Sequence, residues 1–335
     1  MEAELGVSLP RAHGHNVIQA IGAMLEGSAK AFIALGGNFA RAVPDSHLVA
    51  EAMQKLDLTV NIATKLNHGH LMPGKASYIL PCIGRTEIDR NKVGNRQMVT
   101  VEDSMSMVHG SSGINLPASP HLKSEISIVA GIAEATLGSA VVNWQVLAQD
   151  HNKIRDMIAR VLPIFGDFNV QIRKPRGFWL RNPATEREWQ TKAGRATFGV
   201  ADLPASTEWQ TVQGKEAHFV LQTFRSHDQY NTTVYGLDDR YRGVYGVRNV
   251  VFINKRDLQG IGLKAGDLVD IVGTYDDGQH RACEGVRVGE YDTPCGCIGG
   301  YYPEMNALVP HQMVGDKSGT PTSKSITVRL QKAAG

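Results

Sequence analysis

Sulfur, net charge and long apolar runs are all scarce in this chain. Only four cysteines occur in 335 residues: Cys82, Cys283, Cys295 and Cys297. A zinc or iron–sulfur site normally uses two close cysteine pairs separated by a longer gap. Here only Cys295 and Cys297 are close, with one residue between them, so ordinary reduced thiols are the expectation. The formal net charge is +2, from 35 Lys and Arg against 33 Asp and Glu. That balance gives no case for a nucleic-acid or membrane-surface partner. No apolar run approaches the roughly 20 residues that cross a bilayer. The N-terminus, Met1-Glu2-Ala3-Glu4-Leu5, lacks the basic, apolar and small-residue order of a secretory signal, and a cytoplasmic location is expected. No internal repeat of fixed period appears.

What is present describes a globular protein of α/β character followed by all-β character. Hydrophobic residues make up 42% and charged residues 20%, and the length suffices for two domains with cores of their own. In the first half, helical and strand signals alternate. Asn16 to Leu25 has helical spacing, Ala31 to Leu35 is a short apolar run, and Pro44-Asp45-Ser46 opens a second helix. Leu58 to Ile62 and Tyr78 to Pro81 follow as strands, then helices over 124–137 and 144–161. Strands alternating with helices predict a parallel sheet covered on both faces. Between 163 and 215 the periodicity fails and Pro and Gly punctuate a polar stretch. From His218 onward short β-rich runs dominate, over 218–224, 250–253, 267–272 and 325–330, with one helix over 255–259 capped by Asn254. Many short strands with Gly-rich turns predict a closed barrel.

Four polar clusters stand where ligands bind. Leu35-Gly36-Gly37-Asn38 ends a buried strand; its glycines admit a close ligand and its amide both donates and accepts. Ligands of open α/β sheets sit beyond the carboxyl ends of the strands, although this triplet is not the G-x-G-x-x-G of nicotinamide cofactors. The loop containing Asn67, His68 and His70 ends the next strand, but no third metal ligand stands at a recognisable spacing. Thr223 to Thr232 gathers hydroxyl, guanidinium, imidazole and amide groups on one turn; Arg225 suits phosphate, and Gln229 and Asn231 suit a base or pterin edge. No G-x-S-x-G elbow completes a hydrolase triad with His227 and Asp228. Gly299 to Asn306, followed by 318–324, offers an amide at Asn306 and a point charge at Lys324. Taken singly, the Gly37-Asn38 triplet reads first as a plain tight turn and the 223–232 turn first as a site, while the other two clusters fit a structural or solvated loop as well as a ligand.

Together, their order and spacing resemble the C-terminal half of the molybdopterin oxidoreductases, in the formate dehydrogenase-like branch. Ala31 to Asp57 looks like that family's strand, G-x-N loop and helix. Ala76 to Ile88 resembles its A-D-V-V-L-P…E signature, with Ser77 where aspartate is usual. Thr223 to Thr232 looks like its T-x-R turn, and 251–272 and 301–324 like its terminal barrel with P-E-x-N-x-L and S-G-T-P…K segments. The resemblance implies a partial Rossmann-like parallel sheet over 1–165, an irregular connection over 166–214 and a double-psi β-barrel over 215–335. It implies molybdopterin guanine dinucleotide with molybdenum as cofactor, and a small substrate such as formate. Gly37, Asn38, Asn67 and His68 would face one nucleotide. Thr223, Arg225, Gln229, Tyr230, Asn231, Asn306 and Lys324 would grip the cofactor from the barrel. Any iron–sulfur cluster and the residue nearest molybdenum would belong to an N-terminal half or a complementary subunit. A half sheet would leave a hydrophobic edge and face uncovered. A non-catalytic nucleotide-binding module and an inactive truncated product remain as alternatives.

Overall fold

A computed structural model describes residues 1–227, 229 and 236–333. Three strands open the chain's α/β part: β1 (Ala31–Leu35), β2 (Leu58–Ala63) and β3 (Ala76–Pro81), with β2 central. They run parallel, because starts pair with starts and ends with ends. Leu58 N donates to Lys30 O, Ala76 N to Asp57 O, and Cys82 N to Ala63 O. The helices Val17–Leu25 and Ser46–Gln54 supply Ile21, Met24, Val49, Ala52 and Met53 to a core that Phe32 of β1 joins. The first helix starts where it does because Asn16 and Gln19 form a reciprocal capping box.

The expectation that helices cover both faces of this sheet needs correction. In β1, burial alternates residue by residue, and Ile33 and Leu35 are 52% and 54% exposed. In β3 no residue is buried, and Tyr78 and Ile79 stand open to solvent. Only β2, which has a neighbour on each side, is buried through its middle. The sequence pattern of alternating strands and helices does not say how many helices return to each face.

By internal contacts the chain forms two compact units that cut across the sequential boundaries of 1–165, 166–214 and 215–335. One comprises Met1–His13, Ile62–Lys65 and Leu80–Asp202; the other comprises Gly14–Asn61, Leu66–Ile79 and Leu203–Gly335. The first contains a small antiparallel sheet of β4 (Val99–Glu102), β5 (Met107–Ser111) and β6 (Phe178–Trp179). Beside it, Val108, Phe168 and Ile172 form a core. The helix read over 144–161 is two helices, Trp144–Gln149 and His151–Val161, broken at Asp150, whose carboxylate caps the second.

The second unit contains a closed six-stranded barrel. Its strands are β7 (His218–Phe224), β8 (Val250–Ile253), β9 (Leu268–Gly273), β10 (Ala282–Glu290), β11 (Cys297–Tyr301) and β12 (Ile326–Lys332). Around the barrel they follow the order β10-β8-β11-β7-β12-β9. Two neighbouring pairs, β7 with β11 and β8 with β10, are parallel, and the rest are antiparallel. Such crossed parallel pairs within a six-stranded ring are what a double-psi barrel requires. Leu221, Val251, Ile253, Val269, Ile271, Val286, Ile298 and Val328 fill the interior. β11 carries little apolar alternation because glycine replaces side chains where neighbours need the space. A Cβ on Gly299 would lie 2.2 Å from the Phe224 ring, and one on Gly300 2.5 Å from Met305.

Candidate functional site

Parallel pairing places the ends of β7 and β11 side by side, Gly300 opposite Thr223 and Tyr301 opposite Phe224. The residues that leave those ends, Arg225 and Tyr302, are therefore neighbours, and Tyr302 N donates to Phe224 O. The Arg225 guanidinium lies 5.8 Å from the centre of the Tyr302 ring. The segment entering β12 completes the group: Ser323 O accepts from both Thr223 N and Thr223 Oγ1, and Lys324 Nζ donates to Thr223 O. Arg225, Tyr302, Asn306, Thr320, Ser323 and Lys324, with Ala42 and Pro44, line a cavity of about 280 Å³. Among the described residues of that lining, Arg225 and Lys324 are the charged ones. Partial burial and the nearby Arg225 charge both push the Lys324 ammonium below its ordinary value.

The α/β segment meets the barrel along the same strip. Asn306 Nδ2 donates to Arg41 O, Tyr302 Oη to Ala42 O, and Asp45 N to Asn306 O. Buried Arg281 grips Asp45 through Nε and Nη2 at 3.0 and 2.7 Å and also pairs with Asp277. Arg41, adjacent to Ala42, faces a second cavity of about 520 Å³, lined also by Asn38, His47, His68, Arg248, Cys283 and Glu304.

Around this second cavity the two strand-end loops join. Gly36 and Gly37 both have positive φ, 64° and 71°, a succession that side-chain-bearing residues rarely adopt. Asn67 Nδ2 donates to Gly37 O while its Oδ1 accepts from Gly69 N. Arg41 Nη2 donates to His68 Nε2 at 3.0 Å, which requires the neutral ring with its proton on Nδ1. Burial first, and the Arg41 charge second, lower the His68 pKa in agreement. Asn38 Oδ1 is buried without a hydrogen-bond partner, so it is an acceptor awaiting a donor.

The sequence-predicted residues thus separate into kinds. Arg225, Asn306 and Lys324 line the smaller cavity, and Asn38 and His68 the larger. Gly37 and Asn67 bond the loops to each other. Thr223 is fully buried and serves as a brace. Gln229 is braced internally as well: its Oε1 accepts from Arg248 Nη2 at 2.6 Å and its Nε2 donates to Tyr302 O. Tyr230 and Asn231 lie outside the described residues. Sequence reasoning missed Arg41, Arg248 and Tyr302. Arg248, 5% exposed, binds Glu304, Ser226, Gln229 and Tyr302 O at once. Nothing local announces it, since its partners are 19 to 56 residues away in sequence. Among the described residues no group of three or more His, Cys, Asp or Glu is arranged to hold a metal ion.

A guanine dinucleotide offers a diphosphate, hydroxyl groups and N–H donors. The Arg225 and Lys324 cations, lining one cavity, suit the diphosphate, and the unpartnered Asn38 oxygen suits an N–H or O–H donor. The residues present fit such a group.

Comparison with known proteins supports a molybdopterin dinucleotide. Residues 219–327 match the family model of the molydopterin dinucleotide binding domain. A protein named an oxidoreductase in Mycobacterium tuberculosis is 46% identical over 340 residues, covering 100% of this chain and 43% of that protein. Protein YdeP of Escherichia coli is 44% identical over 332 residues, covering 97% of this chain and 43% of its own. The chain therefore spans less than half the length of these relatives. Acetylene hydratase from Pelobacter acetylenicus shares the fold, with TM-score 0.66 at 14% identity over 94% of this chain and 46% of that one.

Proposed function

We propose that this chain, the C-terminal and molybdopterin dinucleotide-binding part of a molybdopterin oxidoreductase, holds a guanine dinucleotide whose phosphates sit between Arg225 and Lys324. The observation that carries the reading is that Arg225 and Lys324 line one cavity, built largely from residues at the ends of three barrel strands in the matched domain. Arg225 suits a bidentate phosphate contact and Lys324 a point-charge contact. Asn306, fixed through its Nδ2, keeps the cavity wall in place, while Asn38 Oδ1 takes a donor from the nucleoside end. When bound, the molybdenum–pterin group supplies two-electron redox chemistry. The ordered segments shared with formate dehydrogenase-like enzymes favour a small substrate such as formate. The bare face of β1 and β3 suits a complementary polypeptide that brings the remaining residues of the catalyst. No helix among the described residues is long and apolar enough to cross a membrane.

GDP binding to the purified chain tests the grip. A charge-assisted hydrogen bond is worth roughly 1.5–3 kcal/mol, so Arg225→Ala is expected to weaken GDP binding by about 10- to 100-fold in titration calorimetry, with Lys324→Ala acting in the same direction. Equal affinity in the parent and both variants would overturn the assignment.

A further inference from the structure

The residues entering β11 form a tight turn, closed by Cys297 N donating to Pro294 O at 3.0 Å. Gly296 sits at its centre with φ 77°, and a Cβ there would lie 2.8 Å from Trp209 Nε1. Both backbone groups of Gly296 are fixed from outside the turn: its N–H donates to Asp257 Oδ2 at 2.8 Å, and its carbonyl accepts from Val220 N at 3.0 Å. The turn is thus held by a strand, a helix and an indole. It spends that rigidity on presenting Cys295 and Cys297, one residue apart. Cys295 is exposed and lines two open cavities, of about 940 and 350 Å³. Cys297 is half-buried, and burial, Asp257 and Cys295 each push its thiol up. The other cysteines differ. Cys82 is buried, and burial pushes the Cys283 thiol up to about 12.

We propose that Cys295 and Cys297 form a redox-active dithiol that exchanges with low-molecular-weight disulfides to give an intramolecular Cys295–Cys297 disulfide. The Cys295 thiolate attacks one sulfur of the small disulfide. A mixed disulfide forms, the small S–S bond breaks and one small thiolate leaves. Cys297, less ready to ionise, then attacks the Cys295 sulfur, breaking the mixed disulfide and releasing the second small thiolate. Two cysteine thiols lose two electrons and two protons, and the small disulfide becomes two thiols. A disulfide spanning one residue is constrained and exposed, and such bonds are the readily reduced ones. None of these residues lines the cation cavity, so the dithiol stands independently of the nucleotide reading.

Oxidised glutathione is the probe, used on the full chain with mass spectrometry of the tryptic peptide covering residues 288–317, which contains both thiols and no other cysteine. The expected result is a loss of two hydrogens from that peptide, protection of both cysteines from iodoacetamide, and full reversal by dithiothreitol. Cys297→Ser should stop at the first step, retaining one glutathione on Cys295, and Cys295→Ser should leave Cys297 alkylated. Trp209 emission should fall on oxidation of the parent and stay constant in Cys295→Ser. The proposal is overturned if both thiols still alkylate at excess oxidised glutathione, if Cys297→Ser gains no glutathione, or if the disulfide formed joins Cys82 or Cys283.

Discussion

The barrel and the three-stranded parallel sheet solve the same problem with opposite completeness. Every barrel strand has two bonded neighbours, and all four residues of β8 are buried. In the sheet, β1 and β3 are edges, and no residue of either is buried. Closure removes edges and lets a small domain satisfy its own backbone. An open sheet with one helical face does not. Rigid placement of Arg225, Tyr302 and Lys324 accordingly comes from the barrel, whereas the sheet contributes two loops at its strand ends. Those loops are held by polar bonds to each other and to the barrel, not by a completed sheet.

The strongest test of that division removes the buried ion pair that joins the two parts. Arg281 and Asp45 are 4% and 4% exposed, and Asp277 shares the same guanidinium. Arg281→Ala would strand two carboxylates, one of them deeply buried. Removing one partner of a buried pair costs roughly 3–5 kcal/mol, and urea unfolding should show a loss of that size. A loss below about 1 kcal/mol would mean that the barrel and residues 14–61 stand independently.

A smaller effect separates the barrel's polar rim from the sheet by pH. Asp239 is 1% exposed and accepts from Arg242, Tyr301 Oη and His227. Burial raises its pKa, but these donors outweigh burial and hold the carboxyl below its ordinary value. A depressed carboxylate contributes stability that is complete above the unfolded value near 3.9 and is lost as pH falls through the folded one. Asp239→Asn should therefore cost about 2 kcal/mol near neutrality, and its gap from the parent should narrow below about pH 4. A gap that stays constant from pH 7 to pH 3 would deny the linkage.

Legibility followed the same contrast. β1, β7 and β8 could be read to the residue because their apolar runs are continuous, and the helix starts at Asn16, Ser124 and Asn254 because capping side chains mark them. β11 was missed because its glycines are placed by distant side chains, Phe224 and Met305, and β10 because Glu284, Gly285, Arg287 and Gly289 interrupt its apolar run. The hairpin of β4 and β5 was missed among polar residues. At the site, Arg225, Asn306 and Lys324 carry family-like spacing, and the structure brings them to one cavity. Arg248 carries none, because its role is defined by partners that only the fold assembles. Thr223 and Gln229 show the converse: their polarity is spent on bracing rather than held toward a ligand.

The smallest expected effect is the most telling about the sheet. Ile33 and Leu35 project from β1 on the side its helices leave bare, each more than half exposed. Replacing both with threonine, a β-branched residue suited to a strand, removes apolar surface that contacts nothing in this chain's core. Exposed substitutions away from special features change stability by about 0.5 kcal/mol or less, so the urea midpoint should hardly move. Self-association should fall, because an open apolar sheet face is an invitation to pairing, and light scattering at increasing concentration reads it directly. If the double variant instead unfolds at markedly lower urea, β1 is packed on both sides and the contrast with the barrel fails. If stability holds and association drops, the bare face belongs to an interface rather than to this chain's own core.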